Sequence, residues 1–193
     1  AHSMGGQISL RAAQAHPEWF EALAQSAPMH GIRLATPVRL MLRLAMGIYG
    51  VLGKSDSWNP FVPPGEHPVD AKTNHVTHDL KRFRRGEKLV TQEPRLQVNG
   101  ASLGWMGAAF KAMQASQKPA FLGTIATPLY IGTAEDEALV DNGAHEHVLT
   151  HVQNGHGDFY PKARHELMME KNATRKAFLK NVEAFYQAQS SVA

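Results

Sequence analysis

Hydrophobic and polar positions alternate between two rhythms along this chain. Ser3 to Ala15 is rich in Ala, Leu and small residues and ends at His16-Pro17, which predicts a helix that stops before proline. Phe20 to Met29 is a mostly apolar run, read as a buried strand, with Ser26 and Pro28 at its far end. After Lys118-Pro119 a short apolar strand is expected at Pro128 to Gly132, a helix over Leu139 to Val152, and a third strand near Asp158 to Tyr160. Asn172 to Gln189 closes the chain as an amphipathic helix with Phe178, Val182 and Phe185 on one face. Helices alternating with buried strands predict an α/β fold with a parallel sheet.

Between these stretches, from 30 to 97, the character changes. Arg33, Arg39 and Arg43 are interleaved with Leu40, Met41, Leu42, Leu44 and Met46, and a loop carrying Trp58-Asn59-Pro60 and Pro63-Pro64 follows. Such a stretch reads as an insertion. Val38 to Leu52 is an apolar helix within it. Thr77 is placed to cap a short helix through Leu80 and Phe83, with Lys81, Arg82, Arg84 and Arg85 outside. Ser102 is placed to cap another, bearing Leu103, Met106, Phe110 and Met113 at helical spacing. The expected division is therefore 1–29 and 98–193 as one core, with 30–97 inserted.

The chain starts at Ala1, and its first motif starts there too, with no strand ahead of the first helix. It reads as a fragment of a longer parent.

Composition narrows the chemistry. There is no cysteine, so disulfides, thiolate chemistry and Cys-ligated zinc are excluded. A net charge of +3 is far from the basic density of a dedicated nucleic-acid binder. The longest apolar stretch, Leu44 to Gly53, falls well short of the roughly 20 residues that span a bilayer, and Arg39 and Arg43 interrupt its approach. A cytoplasmic or peripheral-membrane location is the expectation.

The opening A-H-S-M-G-G, Ala1 to Gly6, sets a serine between small residues immediately before a helix. That is the arrangement of a nucleophile elbow, a turn so sharp that larger flanking side chains are expected to collide. Ser3 would then stand clear at the helix N-terminus, with the backbone N–H of Met4 aimed at a developing oxyanion. Three consecutive acids, Glu135, Asp136 and Glu137, follow the Pro128 strand, and residue-type habit favours Asp136 as the partner of a histidine. His145, His147 and His151 invite a metal reading, the pair 147 and 151 sharing a helix face, but no nearby carboxylate completes a motif. Exposed helix histidines are the simpler expectation, and no metal or other cofactor is expected. Lys81 to Arg85 with Lys88 is a solvated basic face or a contact for an anionic bilayer.

The segments P-L-Y-I-G-T-A-E-D-E-A-L-V-D-N (Pro128 to Asn142), A-R-H-E-L-M-M-E (Ala163 to Glu170) and Ser102-Leu103-Gly104-Trp105, together with the elbow, resemble the bacterial lysophospholipase and monoacylglycerol lipase family of α/β-hydrolases. The resemblance covers essentially the whole chain, Ala1 standing where the general motif has glycine. It implies an α/β-hydrolase core with 30–97 as a helical cap, Ser3 as nucleophile and His165 as general base. It also favours Glu137 as the acid, nine positions after Pro128 and four before Asp141, with Asp136 as the alternative. Glu166 and Glu170 match the pattern's trailing residues. Trp105 and Phe110, on the helix returning from the cap, are the candidate substrate-binding side chains. The implied activity is hydrolysis of a monoacylglycerol or lysophospholipid ester. The implied partners are a small lipid ester and the surface of an anionic membrane, with no nucleic acid and no obligate protein. A peptidase on the same scaffold, or a non-catalytic binding module, stays open. A second oxyanion donor is expected from a loop outside this chain, so full activity is expected only in the longer parent.

Overall fold

A computed structural model describes residues 1–58, 69–98 and 100–190. Its helices are α1 (Met4–Ala15), α2 (Thr36–Val51), α3 (Leu80–Gln92), α4 (Leu103–Ser116), α5 (Pro119–Leu122), α6 (Asn142–His151) and α7 (Asn172–Ser190); its strands are β1 (Leu23–Ser26), β2 (Leu129–Ala134) and β3 (Gly155–Tyr160). The chain folds into two compact units, one made of Ala1–Arg33, His75–Leu80 and Met113–Ala193, the other of Leu34–Asn74 and Lys81–Ala112. Of the proline-rich loop expected around residue 60, Asn59, Pro60, Pro63 and Pro64 lie outside the described residues.

The first unit is built on a parallel sheet in the order β1-β2-β3. On the free side of β1 the chain at His2 runs parallel to Ser26, the Ser26 N–H donating to Ala1 O (2.9 Å) and the Ser3 N–H to Ser26 O (3.2 Å). Every residue of β1 and β2 is buried, the two polar residues of β1, Gln25 and Ser26, included, so neither strand alternates between apolar and polar positions. The two faces carry separate cores. Leu23, Leu129 and Ile131 pack with Leu10 and Ala13 of α1, Leu122 of α5 and Val148 of α6. Ala24, Tyr130 and Ala134, pointing the opposite way, pack with Leu167 and with Phe178 and Phe185 of α7. Helices thus cover both faces of an open parallel sheet, the α/β arrangement that the sequence pattern implies.

Several boundaries differ from the expectations: α6 starts at Asn142, capped by Asp141, and not at Leu139, and β2 runs on to Ala134. The strand expected from Phe20 is only Leu23–Ser26, because Pro17–Trp19 takes up a 3-10 turn. The third strand starts earlier, at Gly155, where Gly, His and exposed positions hide the strand signal. Thr77 is not the cap of its helix: α3 starts three residues later, and the Thr77 hydroxyl donates to Met169 O (2.8 Å) and accepts from the Asp79 N–H (3.0 Å). Ser102 does cap α4, its hydroxyl accepting from the Trp105 N–H at 3.1 Å.

In the second unit α2 buries Leu42 and Ala45 but exposes Leu40, Leu44, Ile48 and Val51. None of the described helices is long and apolar enough to cross a membrane.

One glycine sets the distance between α7 and the sheet. A Cβ on Gly132 would lie 2.7 Å from the Phe178 ring and 3.0 Å from Leu167 Cδ1. Gly132→Ala is therefore expected to cost about 1–3 kcal/mol by overpacking, measured by urea denaturation of the full-length protein, and the added Phe178→Leu substitution should return part of it. Equal stability of wild type and Gly132→Ala would show that this packing does not constrain the fold.

Candidate active site

Ser3 stands between the sheet and α1, at the helix N-cap position, with φ 47° and ψ −118°. A non-glycine residue there carries roughly 1–3 kcal/mol of backbone strain that its surroundings must hold. They hold it through hydrogen bonds: the Ser3 N–H to Ser26 O, and Ser3 O accepting from the N–H of Gly6 (2.9 Å) and of Met29 (2.8 Å). Of the two glycines that follow in the motif, close packing requires Gly6 and not Gly5. A Cβ on Gly5 would sit 3.8 Å from that of Ala1, an ordinary contact, whereas a Cβ on Gly6 would collide with Pro28. Gly6 is the residue that lets α1 approach the strand end. Met4 opens α1, so its N–H is one of the helix-terminal donors that lack an intrahelical acceptor, directed at the N-terminal end where Ser3 stands.

His165 lies on the loop after β3, between Lys162, itself at positive φ, and the 3-10 turn Leu167–Met169. Its Nε2 is 3.0 Å from Ser3 Oγ and its Nδ1 is 2.8 Å from Glu137 Oε2. A carboxylate can only accept, so Nδ1 carries the proton and Nε2 is left to accept from the Ser3 hydroxyl. His2, beside the serine, donates from Nδ1 to Ser26 O (2.9 Å), and its ring centroid is 4.8 Å from that of His165. Burial and the neighbouring His165 push the His2 pKa down.

The three acids after β2 go separate ways. Glu135 Oε2 accepts from the Lys162 N–H at 2.8 Å. Asp136 is exposed, facing Arg164 Nε at 3.3 Å and His78 Nε2 at 3.6 Å. Glu137, only 3% exposed, turns inward. Its second oxygen accepts from the N–H groups of Leu139 (2.8 Å) and Val140 (3.3 Å), and its carbonyl accepts from Arg33 Nη1 (2.7 Å). Burial, the largest influence, pushes the Glu137 carboxyl up, but the hydrogen bonds from His165, Leu139 and Val140 together hold it below its ordinary value. The result is a fixed anion behind the imidazole. A hydroxyl, a neutral imidazole and a carboxylate in hydrogen-bonded series can move a proton off the hydroxyl and stabilise the imidazolium that results.

The other expected histidines have structural partners. His145 is buried, not exposed: Nε2 donates to Pro28 O at 2.7 Å and Nδ1 is 3.1 Å from Thr133 Oγ1. His147 Nε2 donates to Gln117 O (2.8 Å) and His151 Nδ1 to His147 O (2.8 Å). Trp105 and Phe110 stand on α4 in the second unit, Trp105 exposed and Phe110 half-buried. On α3, Phe83 is buried while Lys81, Arg84, Arg85 and Lys88 are exposed.

The family described as serine aminopeptidase S33 (Hydrolase_4) matches residues 1–172. The chain belongs to this family. Among curated proteins it is 29% identical to lysophospholipase L2 of Escherichia coli K12, over 99% of this chain and 57% of that protein. It is 25% identical to the probable lysophospholipase L2 of Haemophilus influenzae, over 98% of this chain and 59% of the relative. The chain thus spans somewhat more than half the length of the curated relatives it matches. Among solved structures, a soluble variant of the Saccharomyces cerevisiae monoglyceride lipase, in complex with a substrate analog, superposes with a TM-score of 0.69 at 18% identity, covering 97% of this chain and 63% of that one. The Paleococcus ferrophilus monoacylglycerol lipase gives 0.70 at 15% identity, covering 95% and 65%. These likenesses show the α/β-hydrolase fold.

Beneath the elbow of this hydrolase fold lies a buried polar cluster that sequence reasoning missed. His30 Nε2 donates to Gln25 Oε1 (2.8 Å), Gln25 Nε2 donates to Gly6 O (2.9 Å), and His30 Nδ1 is 3.0 Å from Gln7 Oε1. Gln7 Nε2 in turn donates to Ser116 Oγ. The local signal is the pair Gln25-Ser26, two polar residues in a strand whose every position is buried. Burial, and secondarily His145, push the His30 pKa down from 6.5 to about 3. The unfolded chain then takes up a proton that the folded one refuses, so this contribution to stability is present above about pH 6.5 and is lost as pH falls towards about 3, at up to about 1.4 kcal/mol per pH unit. The urea midpoint of the wild type should therefore drop from about pH 7 to about pH 5, and drop less in His30→Leu. Both ring nitrogens face amide oxygens, Gln7 Oε1 and Gln25 Oε1, contacts that favour a protonated ring and oppose the effect of burial; identical slopes for the two proteins would show that these contacts win and the ring is not held neutral.

Proposed function

We propose that the protein is a serine hydrolase of carboxylic esters of monoacylated glycerols or lysophospholipids, acting through an acyl-enzyme. The observation that carries this reading is the hydrogen-bonded series Ser3–His165–Glu137, assembled from residues 162 positions apart at its ends. Ser3 Oγ attacks the acyl carbonyl while His165 Nε2 takes its proton, and Glu137 steadies the imidazolium. The Met4 N–H serves as one donor to the oxyanion. His165 then gives the proton to the leaving alcohol, and water activated by the same imidazole releases the acyl group. No step calls on a cofactor.

The ester class is supported by the relatives, which carry the names lysophospholipase and monoglyceride lipase. In this reading the stretch 30–97 is the cap insertion, and Trp105 and Phe110 on α4, beyond it in sequence, are the candidate side chains for binding the acyl chain. The exposed apolar side chains of α2, Leu40, Leu44, Ile48 and Val51, together with the nearby Arg39 and Arg43, suit peripheral contact with an anionic bilayer. The matching family's description favours one second reading, a peptidase on the same machinery. A non-catalytic module is disfavoured by the intact geometry of the three side chains.

A fluorophosphonate probe is expected to label Ser3 in the full-length protein and to leave Ser3→Ala unlabelled. The same preparation should turn over a long-chain monoacylglycerol or lysophospholipid far faster than an aminoacyl amide. Preference for the amide would move the assignment to the peptidase reading, and absence of labelling in folded protein would remove the nucleophile.

A further inference from the structure

The loop that presents His165 is gathered around one buried carboxylate. Glu170 is 2% exposed. Its Oε1 accepts from the backbone N–H of Arg164 (3.0 Å), from the backbone N–H of His78 (3.0 Å) and from His78 Nδ1 (2.9 Å), while Oε2 accepts from the N–H of Lys171 (3.0 Å). Burial pushes this carboxyl up, yet the donors around it outweigh burial and hold it below the ordinary value, so it is an anion at neutral pH.

The groups it joins come from two stretches far apart in sequence. On one side is the His165 loop, residues 163–171. On the other is the segment 75–80, which belongs to the first unit although the chain on either side of it belongs to the second. Further bonds run between the same two stretches: the Glu166 N–H to Val76 O (2.8 Å), the Thr77 hydroxyl to Met169 O (2.8 Å) and Arg164 Nη1 to Thr77 O (3.5 Å). Glu170 therefore grips the residue immediately before His165, and Val76 grips the residue immediately after it. With the backbone fixed on both sides, the imidazole is left to satisfy Ser3 and Glu137 at 3.0 and 2.8 Å.

We propose that Glu170 is a positioning residue for the reaction, tying the loop of the general base to the segment 75–80 so that His165 Nε2 meets the serine hydroxyl in line. The proposal rests on the serine-hydrolase reading above. Glu170 acts on the imidazole at one remove, through its bonds to Arg164 and His78. Proton transfer demands close placement, and a displacement near 1 Å costs on the order of 10²-fold in rate.

The test measures kcat and KM of the full-length protein on a short-chain ester, with kcat expressed per active site titrated by the fluorophosphonate. Glu170→Ala is expected to lower kcat per titrated site by about 10- to 100-fold with KM within about twofold. Glu170→Gln keeps the carbonyl oxygen for Arg164 and His78 and should recover most of the loss. If Glu170→Ala does not fold, His78→Ala removes the ring donor alone and is expected to lower kcat per site by about 3- to 10-fold. A variant that loses titratable sites or thermal stability while each remaining site turns over at the wild-type rate would overturn the proposal, as would an effect confined to KM. A wild type that neither labels nor hydrolyses esters would instead sink the underlying reading, so the two failures are distinguishable.

Discussion

A serine hydroxyl becomes a nucleophile only when a base can take its proton within hydrogen-bond reach, and here that condition rests on one contact, Ser3 Oγ to His165 Nε2 at 3.0 Å. The parallel sheet brings the two side chains of that contact together. Strands running the same way end at the same edge, so the elbow beside β1, the acid loop after β2 and the histidine loop after β3 all emerge together. Two strand registers, Ser26 with Gly132 and Gly132 with Asp158, set the depth at which each loop leaves the sheet. The strain at Ser3 is maintained because Ser26, Gly6 and Met29 hold its backbone from three directions.

Electrostatics then fix the protonation states. Glu137 is almost fully buried, which alone would favour its neutral form, but donors on both oxygens keep it charged. A charged Glu137 holds the proton on Nδ1 and leaves Nε2 basic. The loops on either side are fastened independently. The acid loop is tied through Arg33 and through the antiparallel bridge of Ile32 with Val140, and the histidine loop through Glu170 and Val76. Both sets of ties use first-unit chain that adjoins second-unit chain in sequence, at residues 31–33 and 75–80.

The elements that bury an apolar face were legible in the sequence. β2, α7 and the elbow helix read directly, because both faces of β2 are covered and α7 repeats Phe178, Val182 and Phe185 at helical spacing. β3 was only partly legible, since an edge strand of Gly155, His156, Gly157 and Asp158 carries little apolar signal. His145 read as an exposed helix residue because periodicity records where a side chain points but not what stands opposite; Pro28 O and Thr133 supply its partners from outside its own helix. The same limit hid the bond of Thr77 to Met169 and the two donors that His78 brings to Glu170, all made between residues 92 positions apart. Among the three acids, habit pointed to Asp136 and family spacing to Glu137, and the local chain direction sends only Glu137 inward.

Whether that inward carboxylate is what makes His165 a base is the point on which the whole account turns. The direct measurement is kcat/KM for ester hydrolysis by Glu137→Gln and Asp136→Asn in the full-length protein, each corrected for titrated active sites. A fall of up to about 10⁴-fold is expected for Glu137→Gln, since glutamine keeps the shape and removes the charge that supports the imidazolium. Asp136→Asn, at an exposed ion pair, should stay within about threefold of wild type. The reverse ranking, or two variants with near-wild-type rates, would contradict it.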